Sequence, residues 1–290
     1  MKVLLNDTLT IIDNQLQLSQ NLKDVAVSTL DEVDIVYKVK TTNNLEYYTL
    51  DKNLTYQPYT NFPKNTFSQN ILDNAFIAGA NLAHYSYRYF PVKDTNTFNL
   101  VINQEFKTVL EERMNRAYPK IKIRKCNSDH YSWKYEPNLH IWSNYFGYYF
   151  HTPEKFPIKL FNPSIQSLEF YRNFLQGYVI RRISNKYFDL ETISLLKRYI
   201  TIREENYYNF VVLCLLLNLN FEIKQVAVKS IPSWQIYFKD IETWNWVLGK
   251  TNSKPDLRLN IKDIETPNCK DFFKIIIPTD QCIYTPFFVL

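Results

Sequence analysis

The sequence predicts an α+β fold: a duplicated helix-and-strand unit of αββαββ order, with pseudo-two-fold symmetry, inserted into a β-rich domain. Three observations carry this expectation. Two of only four glycines, Gly79 and Gly177, occupy the same place in two apolar helical segments, Phe76–His84 and Phe174–Arg182. The order helix, strands, helix, strands occurs twice in the middle of the chain, and the two glycines stand 98 residues apart. The two ends of the chain are short β-rich runs broken by Asn and Asp. Glycine inside a helix costs about 1 kcal/mol relative to alanine, so a matched pair implies two backbones that must come close. The helices are expected to pack glycine to glycine as a spine. The expected domains are residues 1–64, 65–250 with halves 65–155 and 156–250, and 251–290.

Each element follows from its local pattern. Val3–Leu5, Leu9–Ile12, Val25–Thr29, Val33–Thr41 and Leu45–Leu50 read as strands. Asn43-Asn44 predicts a tight hairpin, because asparagine tolerates positive φ. Asn70–Asp73 leads into the first spine helix. A strand is expected at Phe98–Ile102 and a helix over Gln104–Ala117, where Phe106, Val109, Leu110 and Met114 form one apolar face. Pro119 stops that helix. Strands follow at Ile121–Arg124, Tyr131–Trp133 and Leu139–Trp142. Asn162-Pro163 reads as the cap and first turn of the second spine helix. Strands at Tyr187-Phe188 and Ile193–Arg203, a helix at Asn206–Leu217 and a strand pair at Phe221–Val228 and Trp234–Phe238 complete the second half. The tail, through Phe272–Pro278, Cys282–Tyr284 and Phe287–Leu290, returns to β, and the two ends are expected to pair.

Composition narrows the class. At 290 residues, with 46% hydrophobic and 22% charged residues, the chain has ample material for a folded core. Aromatic content of 16% accompanies enrichment in Asn, Lys and Ile, which A/T-rich coding also produces. A net charge of +5 permits nucleic-acid binding without requiring it. The four cysteines, Cys126, Cys214, Cys269 and Cys282, form no pairing pattern and are expected to be reduced thiols. The amino-terminal segment has too short an apolar core for a signal peptide. The longest apolar run, Phe210–Leu217, falls well below the roughly 20 residues that span a bilayer. The expected setting is intracellular, cytoplasmic or nucleoid-associated, with no membrane contact.

The order of these segments resembles an intein-type protein, in which a Hint self-splicing domain is split by a LAGLIDADG homing endonuclease. Asn6–Thr10 resembles the opening splicing block. Val36–Thr41 with Tyr47–Lys52 resembles the block that ends Thr-x-x-His. Phe76–His84 and Phe174–Arg182 resemble the two LAGLIDADG helices, and Phe272–Pro278 with Cys282–Leu290 resembles the closing strands. Taken in order, the matches extend over nearly the whole chain, although each is short.

The departures decide what the resemblance implies. Splicing in the family needs Cys or Ser first, and Val3 stands near that place. Lys52 stands where the block's histidine would be, and no His-Asn pair precedes Leu290; only Thr49 of that block survives. The endonuclease helices should each end in a carboxylate that holds a divalent metal for phosphodiester hydrolysis. Here they end in His84 and Arg182, and an arginine places its own charge where the metal would sit. The expectation is a protein inactive in both chemistries, with no catalytic residue, no metal and no cofactor.

Other chemistry finds little support. His84, His130, His140 and His151 are isolated, and Cys126 with His130 lacks a second ligand pair. There is no phosphate-cradling glycine loop and no nucleophile elbow. The aromatic run Tyr145–Phe150 could stack on bases, but such a run more often belongs to a core or a partner surface. What remains is basic decoration of the middle region. Lys120, Lys122, Arg124 and Lys125 in the first half, and Arg182, Lys186, Lys197, Arg198 and Arg203 in the second, form the expected nucleic-acid-binding set. The expected partner is double-stranded DNA, for example within a transcription or replication complex that supplies protein partners. The alternative is a structural or adaptor subunit of a larger assembly, a viral one for example, without nucleic-acid contact. Residual DNA endonuclease activity is a minor third reading.

Overall fold

The computed structural model describes residues 3–5, 8–10, 18–19, 37–44, 46–49, 55–56, 60, 62–64, 66–84, 98–103, 107–125, 130–135, 141, 144–145, 166–182, 199–228, 231–257, 261–265, 282–283 and 288–289. Six strands come first: β1 (Val3–Leu5), β2 (Thr8–Thr10), β3 (Leu18–Ser19), β4 (Tyr37–Thr41), β5 (Glu46–Thr49) and β6 (Thr55–Tyr56). The middle alternates helices and strands: α1 (Gln69–His84), β7 (Phe98–Asn103), α2 (Lys107–Ala117), β8 (Ile123–Lys125), β9 (His130–Tyr135), α3 (Leu168–Arg182), β10 (Tyr199–Arg203), α4 (Glu204–Leu216), β11 (Phe221–Val228), β12 (Ile231–Phe238) and α5 (Ile241–Val247). Strands β13 (Ile261–Glu265), β14 (Cys282–Ile283) and β15 (Phe288–Val289) close the order. The fold is mixed helix and sheet.

The two ends of the chain meet. β13 pairs with β4 at the edge of a five-stranded sheet of order β13-β4-β5-β1-β2. β14 pairs with β3, and β15 with β6. The β4–β5 hairpin turns at Thr41–Asn44, where Asn44 has φ 61° and donates its backbone N–H to the Thr41 carbonyl at 3.1 Å. The Asn-Asn signal in the sequence thus specifies the turn that forms.

The middle contains two three-stranded antiparallel sheets, β7-β9-β8 and β10-β12-β11, each with its last strand in the centre. In the second, Ile200, Ile202, Ile236 and Phe238 are buried while Tyr199, Thr201, Gln235 and Tyr237 are only half-buried, as period-two alternation requires. α4 covers the inner face. Its Phe210, Val211 and Leu213–Leu216 are all buried, and Tyr207 stacks on Trp234 with ring centres 4.2 Å apart. From Phe210 onward α4 carries only apolar residues, the pattern of an enclosed rather than a surface helix.

The spine is formed by α1 and α3. A Cβ on Gly79 would stand 1.9 Å from the Phe174 carbonyl oxygen, and one on Gly177 would stand 2.0 Å from the Phe76 carbonyl oxygen. The contact is reciprocal: each glycine faces the residue three positions before the other. The small side chains Ala75, Ala78, Ala80 and Ala83 on α1 are buried around it, and close backbone approach is what such residues permit. The large aromatics Phe76, Phe170, Tyr171, Phe174 and Tyr178 fill the core beside the crossing.

Several expectations need correction. α3 starts at Leu168, and Ser167 caps it by accepting the Phe170 N–H at 3.2 Å; the expected cap, Asn162, lies outside the described residues. The expected strand at Leu139–Trp142 does not form at Ile141, which is helical, as are Asn144 and Tyr145. Tyr145 packs on Phe67 and Phe170, with ring centres 5.4 Å from each, so tertiary packing overrides its β propensity. α5 has no counterpart among the sequence expectations. Its seven residues are too few for a periodic signal, but Asp240 caps it by accepting the Thr243 N–H at 2.6 Å. The expected strands Val25–Thr29 and Tyr187-Phe188, the run Phe272–Pro278 and position Lys52 lie outside the described residues.

Candidate nucleic-acid interface

The basic set of the first half gathers at one sheet edge. β8 is an edge strand, paired with β9 so that Arg124 faces Ser132 and Lys125 faces Tyr131. Ile121 and Ile123 pack against the core, while Lys120, Lys122, Arg124 and Lys125 are all exposed. Lys120 belongs to the turn after Pro119, fixed by the Ile121 N–H on the Tyr118 carbonyl at 3.1 Å, rather than to the strand. Four cations therefore occupy six consecutive residues on one border of the β7-β9-β8 sheet.

The second-half set is only partly placed. Arg203 ends β10, its backbone opposite Ser233. Arg182 and His84 are the last residues of α3 and α1. Lys186, Lys197 and Arg198 lie outside the described residues. Among the described residues no group of three or more His, Cys, Asp or Glu is arranged to hold a metal ion. No described helix is long and apolar enough to cross a membrane.

The structure adds residues that sequence reasoning did not single out. On the outer face of β10-β12-β11, Tyr199 and Tyr237 face each other at 5.1 Å, and the Tyr237 hydroxyl donates to Gln235 Oε1 at 2.6 Å. Partial burial, with Tyr199 and Glu222 nearby, raises the Tyr237 pKa above its ordinary value. Lys224 is exposed on β11, and Lys239 pairs with Glu222 at 3.0 Å. Alternation would have found these residues had the register been known.

A second unforeseen feature joins the β-rich ends to this sheet. The Ile223 N–H donates to the Asn43 carbonyl at 3.0 Å, and Asn43 Nδ2 donates to the Phe221 carbonyl at 3.2 Å. Asn44 Nδ2 reaches the Ile223 carbonyl and Glu222 Oε1, both at 3.3 Å. The β4–β5 hairpin tip therefore docks on the β11 edge and covers backbone groups that an edge strand otherwise offers to other chains. Asn43 and Thr41 are buried there, and Thr41 Oγ1 donates to Asn43 Oδ1. Asn43 is buried only because its polar atoms are bonded.

The spine carries two arginine networks near its amino-terminal end. Asp73 of α1 is fully buried, and Arg113 and Arg116 of α2 grip its carboxylate, each at 2.8 Å. Burial pushes the Asp73 pKa up, but hydrogen bonds from Arg116, Arg113 and Gln69 outweigh it, and the group sits below its ordinary value. Arg172 of α3 donates Nε to the Trp246 carbonyl at 2.9 Å and Nη1 to Asn252 Oδ1 at 2.9 Å, and Nη2 donates to the Thr251 carbonyl. It also lies over the Trp246 ring at 4.9 Å. Gln176 Nε2 holds the Leu248 carbonyl at 2.8 Å. These α3 side chains thus satisfy carbonyls at the end of α5.

The architecture defines a mixed α+β protein in which two helices cross between two small sheets. No family model and no curated protein matches the chain. Two solved structures of I-DmoI, a LAGLIDADG homing endonuclease, are similar to it. The complex of I-DmoI with DNA and Ca has a TM-score of 0.42 at 12% identity, covering 64% of this chain and 93% of its own. The complex with DNA and Mn has a TM-score of 0.39 at 14% identity, covering 63% and 99%. At that distance the likeness carries over no residue's role.

Proposed function

We propose that this chain is a degenerate intein-like protein whose inserted, duplicated LAGLIDADG-like unit binds double-stranded DNA without cutting it. The observation that carries the proposal is the exposed row Lys120, Lys122, Arg124 and Lys125, which runs from the turn after Pro119 into the edge strand β8, with Ile121 and Ile123 packed inward between them. Cations so placed suit phosphate contacts, which give salt-dependent affinity with little sequence information. The spine helices end in His84 and Arg182 rather than carboxylates, which supports binding without metal-assisted hydrolysis. The β-rich ends are the remnant of a Hint domain in this reading, and the role is that of an accessory subunit.

The test is an electrophoretic shift of duplex DNA at two salt concentrations. Wild type should bind at low salt, with affinity falling steeply as salt rises. Replacing Lys120, Lys122, Arg124 and Lys125 by alanine should weaken binding and flatten the salt slope by about 0.9 for each phosphate no longer neutralised. No shift at low salt would end the proposal and favour a structural subunit. Clean cleavage of plasmid with Mg or Mn would refute the inactive reading.

A further inference from the structure

Strand β11 is an edge, and its backbone groups divide by parity. Glu222, Lys224 and Val226 turn theirs toward β12, so those of Phe221, Ile223, Gln225 and Ala227 face outward. The β4–β5 tip bonds the Phe221 carbonyl and both groups of Ile223. The two carbonyls are met by asparagine side chains, where a true strand would offer backbone. Among the described residues nothing bonds the outward groups of Gln225 and Ala227, and both residues are exposed. The tip is therefore a partial substitute for a strand, held by hydrogen bonds of modest net worth.

The side chains of this edge are self-complementary. Glu222 and Lys224 stand two residues apart and so share the outer face of the sheet. Glu222 is bonded by Lys239 and Asn44, while Lys224 is exposed and has no ion pair among the described residues. Two copies of β11 laid antiparallel about Ile223 set Glu222 of each beside Lys224 of the other. These are non-hydrogen-bonded positions, where facing side chains come closest. No other register pairs both charges. The nearest ones of the same parity set Glu222 against Glu222, or Lys224 against Lys224. The tip sits on Ile223, the centre of the favoured register.

We propose that the β4–β5 tip is a removable stop on β11, and that with the tip lifted β11 pairs antiparallel with β11 of a second copy of this chain, Ile223 opposite Ile223. The two three-stranded sheets then run on as one sheet about a two-fold axis. This pairing does not rest on the DNA reading.

The experiment is sedimentation velocity of the full chain over a concentration series. Wild type should remain monomeric. The opened variant combines Asn43→Ala, which removes the bond to the Phe221 carbonyl, with Asn44→Asp, which sets a carboxylate against Glu222 and the Ile223 carbonyl; it should dimerise as concentration rises. Should that variant fail to fold, Asn44→Asp alone opens the tip from an exposed position whose positive φ aspartate also accepts. In the opened background, Glu222→Lys and Lys224→Glu should each weaken self-association about tenfold or more. Mixed one to one, the two should associate with each other, because every facing pair is then attractive. The Gln225 amide should gain exchange protection in the dimer. An opened chain that stays monomeric would overturn the proposal, as would a wild type that associates equally well. A dimer indifferent to the two charge reversals would overturn it too.

Discussion

Two glycines and one aspartate set the tolerance of the spine. Alanine normally gains about 1 kcal/mol over glycine within a helix. At Gly79 and Gly177 a Cβ would meet a backbone carbonyl oxygen at 1.9 and 2.0 Å, which no side-chain rotation relieves. Gly79→Ala and Gly177→Ala should each destabilise by about 3 kcal/mol or more, read by urea denaturation. Asp73 is constrained electrostatically. Its pKa is lowered in the folded state, so its contribution is fully present above the unfolded carboxylate value and is lost as pH falls through the folded one. Asp73→Asn should cost about 2–4 kcal/mol at neutral pH, reduced from a fully buried pair because Arg116 is partly exposed. It should also flatten the fall in stability below about pH 4, measured by thermal melts across pH. The glycine pair is legible in the sequence because glycine is scarce in this chain. The aspartate is not, because its partners stand 40 and 43 residues away.

Elements in this chain end on devices that use asparagine as readily as glycine. α5 ends with Gly249 at φ 78°, with the Lys250 N–H on the Asn245 carbonyl and the Gly249 N–H on the Trp246 carbonyl. α4 ends in the same double-bonded turn, but with Asn218 at φ 50°. The asparagine side chain gives what glycine cannot: Nδ2 donates to Asp256 at 2.7 Å, and Oδ1 accepts the Leu257 N–H at 3.2 Å. Lys254 completes the turn by donating to the Asn218 carbonyl at 2.8 Å, even though burial lowers its pKa. Asn218→Gly should therefore cost about 1–2 kcal/mol, and Asn218→Ala more, since it removes the same bonds and adds left-handed strain. Denaturation of the two variants separates bonding from backbone conformation. The hairpin tip is the other asparagine device, and Asn43→Ala should raise amide exchange at Ile223 by exposing the β11 edge. In the sequence Asn43-Asn44 reads correctly as a turn, whereas its docking 178 residues away has no local signal. The same limit explains Ile141, where the local pattern points to a strand and the chain is helical and buried.

At the scale of the molecule, closure depends on strands far apart in sequence. β3, β4 and β6 take partners from β14, β13 and β15. Removing residues 258–290 should strip those partners, and hydrogen exchange should speed at Tyr37–Thr41 while protection in α3 and α4 persists. The overall alternation of helix and sheet is readable because apolar periodicity is local. Of the candidate interface, the Lys120–Lys125 row is readable too, because alternation with Ile121 and Ile123 is equally local. The Tyr199–Tyr237 face is not, since it exists only once strand register is set.

The reciprocal glycine contact has a mechanical corollary. A slide of α3 along α1 by about one turn, roughly 5.4 Å, would bring the Cβ of Asn173 or Ile180 toward the carbonyl that Gly177 now meets. The spine thus behaves as an indexing pin with a single seat. Sliding of one spine helix along the other is therefore opposed at this crossing, where each glycine meets a backbone carbonyl of the other helix.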